Sequence, residues 1–227
     1  MAYRQFYRSL PKKGFPLYWI LLVYLVVGYF YPAIGFLAII CMIAPVAFAI
    51  YKGRWWCGNA CPRGSMYDKL LAKYSPHRQI PKFVRKFGFR LFMVMFIFTM
   101  FGVQMYFAWG DWNAMGRVFW TIILVTTIIG IILSFIYAPR TWCSFCPMGT
   151  LSSWVSPKKS PSPKGFINIR VSDACKVKCQ SCARVCPMQL TPYDCRGSET
   201  GYMHRDCIKC GMCVTACPLK IMRLQNN

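Results

Sequence analysis

Four cysteines spaced Cys207-x2-Cys210-x2-Cys213-x3-Cys217 and followed by Pro218 limit the folds open to this chain more than any other feature. A second run precedes them, Cys175-x3-Cys179-x2-Cys182-x3-Cys186 before Pro187, with one extra residue between its first two cysteines. Three closely spaced thiolates wrap one iron–sulfur cubane, and the fourth, before proline, reaches the neighbouring cluster. The spacing therefore predicts two [4Fe–4S] clusters. One is expected on Cys175, Cys179, Cys182 and Cys217, the other on Cys207, Cys210, Cys213 and Cys186. A zinc ribbon would use cysteine pairs rather than two triplets each closed by Cys-Pro. Cys195, between the runs, reads as a bystander thiol. Residues 166–227 are too few for a large apolar core, so metal is expected to organise a small α+β two-cluster domain of bacterial-ferredoxin type.

The remainder has a different composition. The chain is 56% hydrophobic and only 15% charged, with 28 Lys+Arg against 6 Asp+Glu. This excludes a disordered basic tail and argues against an ordinary soluble enzyme. Four apolar segments stand out: Leu17–Tyr31, Ile34–Tyr51, Leu91–Trp109 and Val118–Tyr137. The last two are long enough to cross a hydrocarbon core of roughly 30 Å. The first two meet at Pro32-Ala33, where a tight hairpin is expected and where Pro and Gly break helices. With four crossings, 27 of the 28 basic residues fall on one side and only Arg117 on the other. The positive-inside rule then sets both termini and the cysteine module in the cytoplasm, in a multi-pass protein of the inner membrane. The expected fold class is membrane all-α: residues 1–155 as four transmembrane helices in two pseudo-repeated hairpins, a polar linker at 156–165, and the cluster domain at 166–227. Residues 78–90 interleave basics with aromatics and read as a strip along the anionic lipid surface, not as a nucleic-acid site.

The membrane half repeats a short element after each expected hairpin. Arg54-Trp55-Trp56-Cys57-x3-Cys61-Pro62-Arg63-Gly64-Ser65 is matched by Arg140-Thr141-Trp142-Cys143-x2-Cys146-Pro147-Met148-Gly149-Thr150. Packed together at the cytoplasmic membrane edge, Cys57, Cys61, Cys143 and Cys146 would offer four thiolates to a third iron–sulfur cluster or to structural zinc. The neighbouring two-cluster module favours iron–sulfur. Trp56 and Trp142 would either shield such a centre from water or anchor the interface.

Four spans, a Cys-Cys-Pro element after each hairpin and a two-cluster module resemble the NapH/NosR-type membrane ferredoxins, a likeness that runs from about Leu17 to Pro218. Cys57, Cys61 and Pro62 match that family's C-x3-C-P element, whereas Cys143, Cys146 and Pro147 depart from it by one residue. The resemblance implies membrane electron transfer, with quinol oxidation feeding a periplasmic reductase.

Absences narrow the chemistry further. Two histidines, His77 and His204, both outside the apolar segments, exclude a buried bis-His haem, and no C-x-x-C-H site is present. A glycine-rich dinucleotide fingerprint is also missing, so neither a nicotinamide nor a flavin site is expected. Electrons would then cross the bilayer on a quinone or through partner redox subunits. Candidate quinone contacts are Gln104, Asp111 and His77, with Asp68 as a further inside carboxylate; Asp111 equally suits a helix cap, and Gln104 a bond to a neighbouring helix. The expected function is an electron-transfer subunit relaying between the quinone pool and a redox partner complex. The alternatives are an accessory factor that reduces or matures the metal centre of a periplasmic reductase, and a membrane iron–sulfur sensor.

Overall fold

The computed structural model describes residues 16–156, 167–175, 179–197 and 204–226; the basic arm 1–15 and all of the expected linker except Ser156 lie outside them. The described chain is mostly helical. Helix α1 (Tyr18–Phe30) ends before Pro32, which starts a 3-10 turn over Pro32–Leu37 leading into α2 (Ala38–Lys52). Two short helices follow, α3 (Trp55–Asn59) and α4 (Pro62–Lys69). The long helices α5 (Phe87–Phe107) and α6 (Trp112–Ile136) come next, and α7 (Pro147–Val155) closes the helical half.

Three segments are long and apolar enough to cross a membrane: Pro32–Lys52, Phe87–Phe107 and Trp112–Ile136. Helix α1 has 13 residues, about 20 Å at ~1.5 Å per residue, which is short of the hydrocarbon thickness. The expected boundaries shift elsewhere too. Asp111 accepts the backbone N–H of Asn113 at 2.9 Å and caps α6, so this helix starts at Trp112 rather than Val118 and the turn between the long helices shrinks. Large apolar side chains cover the outside of the helices, among them Val26, Ile43, Phe92, Phe96 and Ile132. Water is a poor solvent for such a surface and lipid a good one.

Glycines set the closest approaches. A Cβ on Gly35 would lie 2.0 Å from the Gly116 carbonyl oxygen, and one on Gly116 would lie 2.1 Å from that of Pro32. The 3-10 turn and the first turns of α6 thus touch backbone to backbone. Trp120 donates its indole N–H to the Leu25 carbonyl at 3.1 Å and ties α1 to the same helix.

The short helices fold back between the long ones. Arg63 at the start of α4 reaches the Ile123 carbonyl midway along α6 at 3.4 Å, and Tyr67 packs against Gly130. Ser152 of α7, fully buried, donates to the Pro45 carbonyl inside α2 at 2.7 Å. Both α4 and α7 are therefore packed against the long helices by side chains that bond to their backbone. The Cys-Pro elements lie where these short helices begin, between the long helices and the cysteine module, with Pro62 and Pro147 each at the first helical position.

In the cysteine module, β1 (Ile167–Val171) pairs antiparallel with β2 (Met222–Asn226), Ile169 opposite Leu224 and Val171 opposite Met222. Two four-residue helices, α8 (Ser181–Arg184) and α9 (Met212–Thr215), each begin after a left-handed residue, Gln180 and Gly211. Each Cys-Pro is followed two residues later by another left-handed position, Gln189 (φ 50°) and Lys220 (φ 52°). Gln189 donates to the Cys186 carbonyl at 2.9 Å and Lys220 to that of Cys217 at 3.1 Å, so the two cysteine runs repeat one backbone path. Ile169, Val171, Met188, Ile208 and Met222 form its core.

Candidate iron–sulfur centres

Each expected set of four cysteines lines one cavity. Cys175, Cys179, Cys182 and Cys217 share one with Tyr193 and Pro218. Cys186, Cys207, Cys210 and Cys213 share another with Ile169 and Ile208. Cys57, Cys61, Cys143 and Cys146 line the third, the largest, at about 600 Å³. Among the described residues no three His, Cys, Asp or Glu side chains converge tightly enough to hold a single ion. A cubane spreads its four thiolates around an eight-atom core.

The thiol environments differ. Burial pushes Cys210 up to about 12 and Cys186 up to about 11, so a metal must displace their protons to bind. The exposed Cys179 thiol lies 3.1 Å from the Ser181 hydroxyl, whose hydrogen bond lowers it. Cys195 belongs to neither set: its Sγ lies 3.1 Å from the Pro192 carbonyl oxygen, and burial raises its thiol to about 11.

The two Cys-Pro elements exchange arginines. Arg54, from the first, donates to the Cys143 carbonyl of the second at 2.8 Å, and Arg140 donates to the Cys57 carbonyl at 2.7 Å. Both guanidinium side chains are 1% exposed. Each crosses over a glycine of the opposite element: a Cβ on Gly149 would lie 2.5 Å from Arg54 Nη2, and one on Gly64 would lie 2.7 Å from Arg140 Nη1. The Arg and Gly of the repeated motif, which carried no assigned role in the sequence, are therefore partners across the repeat. Asp68 balances Arg140 through Nε–Oδ1 at 2.9 Å. Asp206, from the cysteine module, accepts from Arg54 at 3.0 Å, from Arg90 at 3.0 and 2.8 Å, and from Ser153 at 3.1 Å. Burial alone would raise this carboxyl, but the Arg90 hydrogen bonds and the charges of Arg54 and Arg90 outweigh it and hold the group at about 2.

This surrounding fits an anionic four-thiolate centre. Arg54, Arg63, Arg90 and Arg140 against Asp68 and Asp206 leave two positive charges beside the thiols. The N-termini of α4 and α7, Cys61-Pro62 and Cys146-Pro147, start at the same cavity and add their dipoles. Trp56 Nε1 and Trp142 Nε1, Ser65 Oγ and Thr150 Oγ1 are buried without a hydrogen-bond partner among the described residues, and they occupy equivalent positions of the two elements. Of these, Trp142 lines the cavity, where a sulfur-rich anion would give its N–H an acceptor. Trp142 is 3% exposed, so it packs inside the bundle and is not an interfacial anchor.

The module sits directly on this site. The Gly58 backbone is so close to Ile208 that a Cβ would lie 2.1 Å from the Ile208 carbonyl oxygen, and Cys57 and Cys143 pack against the module core. The strip expected along the lipid surface is divided between two tasks. Arg85 donates to the Met188 carbonyl at 2.7 Å and Arg90 to Asp206, whereas Lys82, Phe83, Lys86 and Phe87 stay exposed. Gln189 fastens the seam by accepting from Ile80 N at 2.9 Å and donating to the Arg78 carbonyl at 2.8 Å. The residues proposed for quinone are not brought together. Gln104 lies within α5, Asp111 caps α6, and His77 Nε2 lies 3.0 Å from the Ala72 carbonyl oxygen; none lines the large cavity.

These domains have counterparts among known families. A "4Fe-4S binding domain" model matches residues 34–90 and again 112–163, once over each Cys-Pro element, and a "4Fe-4S dicluster domain" model matches 167–218. The chain thus carries ferredoxin-type 4Fe-4S domains and is an iron–sulfur protein of electron-transfer type. It is 23% identical to an uncharacterized protein of Methanocaldococcus jannaschii over 189 residues, 78% of this chain and 74% of that one. A second uncharacterized protein of the same organism is 23% identical over 208 residues, 85% of this chain and 77% of the relative. An archaeal-type glutamate synthase [NADPH] of Dehalococcoides mccartyi is 32% identical over 65 residues, 29% of this chain and 13% of that protein. No solved structure matches the chain.

Proposed function

We propose that the chain is a membrane-bound electron-transfer subunit that relays electrons between the quinone pool and a redox partner complex, by way of three [4Fe–4S] centres. The observation that carries this reading is the succession of three cysteine-lined cavities. The distal one holds the exposed Cys179, the next meets Gly58 of the first Cys-Pro element through Ile208, and the last opens into the apolar interior of the bundle. A cubane supplies reversible one-electron transfer without proton uptake of its own. The chain's part is to hold the successive centres near one another, to keep water out with Tyr67, Trp142 and Ile208, and to offset the negative charge with Arg54 and Arg140. In this reading the helical half forms four spans as two hairpins in the inner membrane, the cysteine module is cytoplasmic, and the resemblance to the NapH/NosR-type ferredoxins extends to function.

Iron and acid-labile sulfide per chain, measured on protein purified without oxygen, test it. About twelve irons are expected, falling to about eight when Cys61 and Cys146 are both replaced by Ser. A reduced short-chain quinol should bleach the iron–sulfur absorbance of the intact protein. Eight irons in the intact protein, with zinc at the Cys-Pro elements, would remove the centre that joins the module to the bilayer.

A further inference from the structure

The 600 Å³ cavity extends well beyond the four thiols at its base, between α1, α2, α5 and α6, with walls that include Val27, Ile34, Phe101 and Phe119. Its size is in the range of sites for small organic ligands, roughly 300–1,000 Å³. Few polar side chains line it, and most are already engaged. Arg140 is committed to Asp68 and the Cys57 carbonyl. Thr126 donates to the Ile122 carbonyl at 2.6 Å, and Tyr24 donates to that of Gly35 at 3.3 Å.

Arg63 is the exception. It directly follows Cys61-Pro62 and lines the cavity together with Tyr24 and Cys41. Among the described residues its hydrogen bond is the 3.4 Å contact to the Ile123 carbonyl, midway along α6, and it pairs with no carboxylate there. Even with its charge offset by the neighbouring thiolates, a guanidinium carries five N–H donors, and one 3.4 Å bond leaves most of them free for an acceptor oxygen in the cavity. An acceptor-rich head on an apolar tail would satisfy it. Opposite stands an acceptor: Pro45 brings no N–H to the Cys41 carbonyl four residues before it, and both residues line the cavity.

We propose that this cavity is the quinone head-group site, with Arg63 donating to a ring carbonyl beside Cys61 and the isoprenoid tail lying along the apolar walls. This rests on the relay reading and names where the exchange takes place. A phospholipid fits less well. Its phosphate would have to leave the interfacial layer to meet Arg63, whereas a neutral quinone ring enters the bilayer interior freely.

The test uses the full chain with its clusters, purified anaerobically in detergent. An azido-substituted short-chain ubiquinone, photolysed in place, should label peptides of α1 and α6 around Tyr24 and Ile123. Binding of decylubiquinone should weaken roughly tenfold or more in Arg63→Met, the loss expected when a charge-assisted hydrogen bond goes. Ile123→Trp, which fills the space while keeping Arg63, should do the same; iron and sulfide contents identify any variant that has lost its centres instead. Labelling confined to the outward faces of α5, or wild-type affinity in both variants, would overturn the site and leave the relay standing. Displacement of the label by phosphatidylglycerol but not by decylubiquinone would assign the cavity to lipid and overturn it too. A wild-type protein that neither binds decylubiquinone nor is reduced by its quinol would overturn the relay reading itself.

Discussion

At the scale of single residues, Asp206 governs how the module meets the membrane domain. Among the described residues it is the carboxylate that pairs with both Arg54 and Arg90, and its removal takes the ion-pair partner from two buried guanidinium groups. Asp206→Asn is expected to cost about 3 kcal/mol, the range for breaking a buried pair from one side. The readouts are a lower thermal midpoint in detergent and faster proteolytic release of the module, with the eight C-terminal cysteines unchanged. The pH dependence follows from the same group. Its folded carboxyl is held at about 2, below the unfolded value of 3.8. Its contribution is therefore complete above pH 3.8 and is lost only as pH falls toward 2. Docking measured by proteolysis should stay flat in this respect from about pH 5.5 to 8.5; a midpoint near neutrality would mean that another group controls the seam. Nothing in the sequence marked Asp206, because its partners are 116 and 152 positions away. The cysteines were legible because ligand spacing is local, whereas an ion pair between modules has no local signature.

Among elements, backbone contact between the 3-10 turn and α6 determines whether the bundle closes. Ala at Gly35 or Gly116 would drive a methyl group into a carbonyl oxygen at about 2 Å. Each substitution is expected to destabilise by roughly 1–3 kcal/mol, as overpacking does. Gly102 within α5 and Gly88 at its start have nothing within 4 Å of a Cβ, so Ala there should be neutral or stabilising by up to ~1 kcal/mol through helix propensity. Thermal unfolding of the four variants in one detergent decides the matter: equal effects at all four would mean that Gly35 and Gly116 do not form the contact. The sequence carried the apolar segments and the break at Pro32, since hydropathy and proline act locally. It did not carry the inward fold of α4 and α7. Those helices have 8 and 9 residues and a mixed composition, and they are held deep by Ser152 on Pro45 and Tyr67 on Gly130. That placement is a property of packing between distant segments, and it brings the two Cys-Pro elements together beside the cysteine module.

For the whole molecule, the open element is α1. Three segments are long enough to span, and an odd number of crossings would separate the two ends of the chain. Charge argues for an even number, since 27 of 28 basic residues share one side only if α1 also crosses. The fold offers a means. Leu21 near the start of α1 packs with Met66 and Tyr67 of α4, while Tyr24 bonds to Gly35 and Gly28 lies against Trp120. A helix of 13 residues thus runs alongside two longer neighbours, and it need not meet lipid on every face for its full length. Topology reporters test this directly. Alkaline phosphatase inserted at Gly110 should be active, while fusions at the N-terminus and after Asn227 should be inactive and a fluorescent protein at those two ends should be bright. Opposite reporter signals at the two ends would establish three crossings and put the basic arm at 1–15 on the far side from the cysteine module. Matching signals at both ends would make α1, which already lines the large cavity, the fourth crossing, with the distal cysteines and both chain ends on a single side of the membrane.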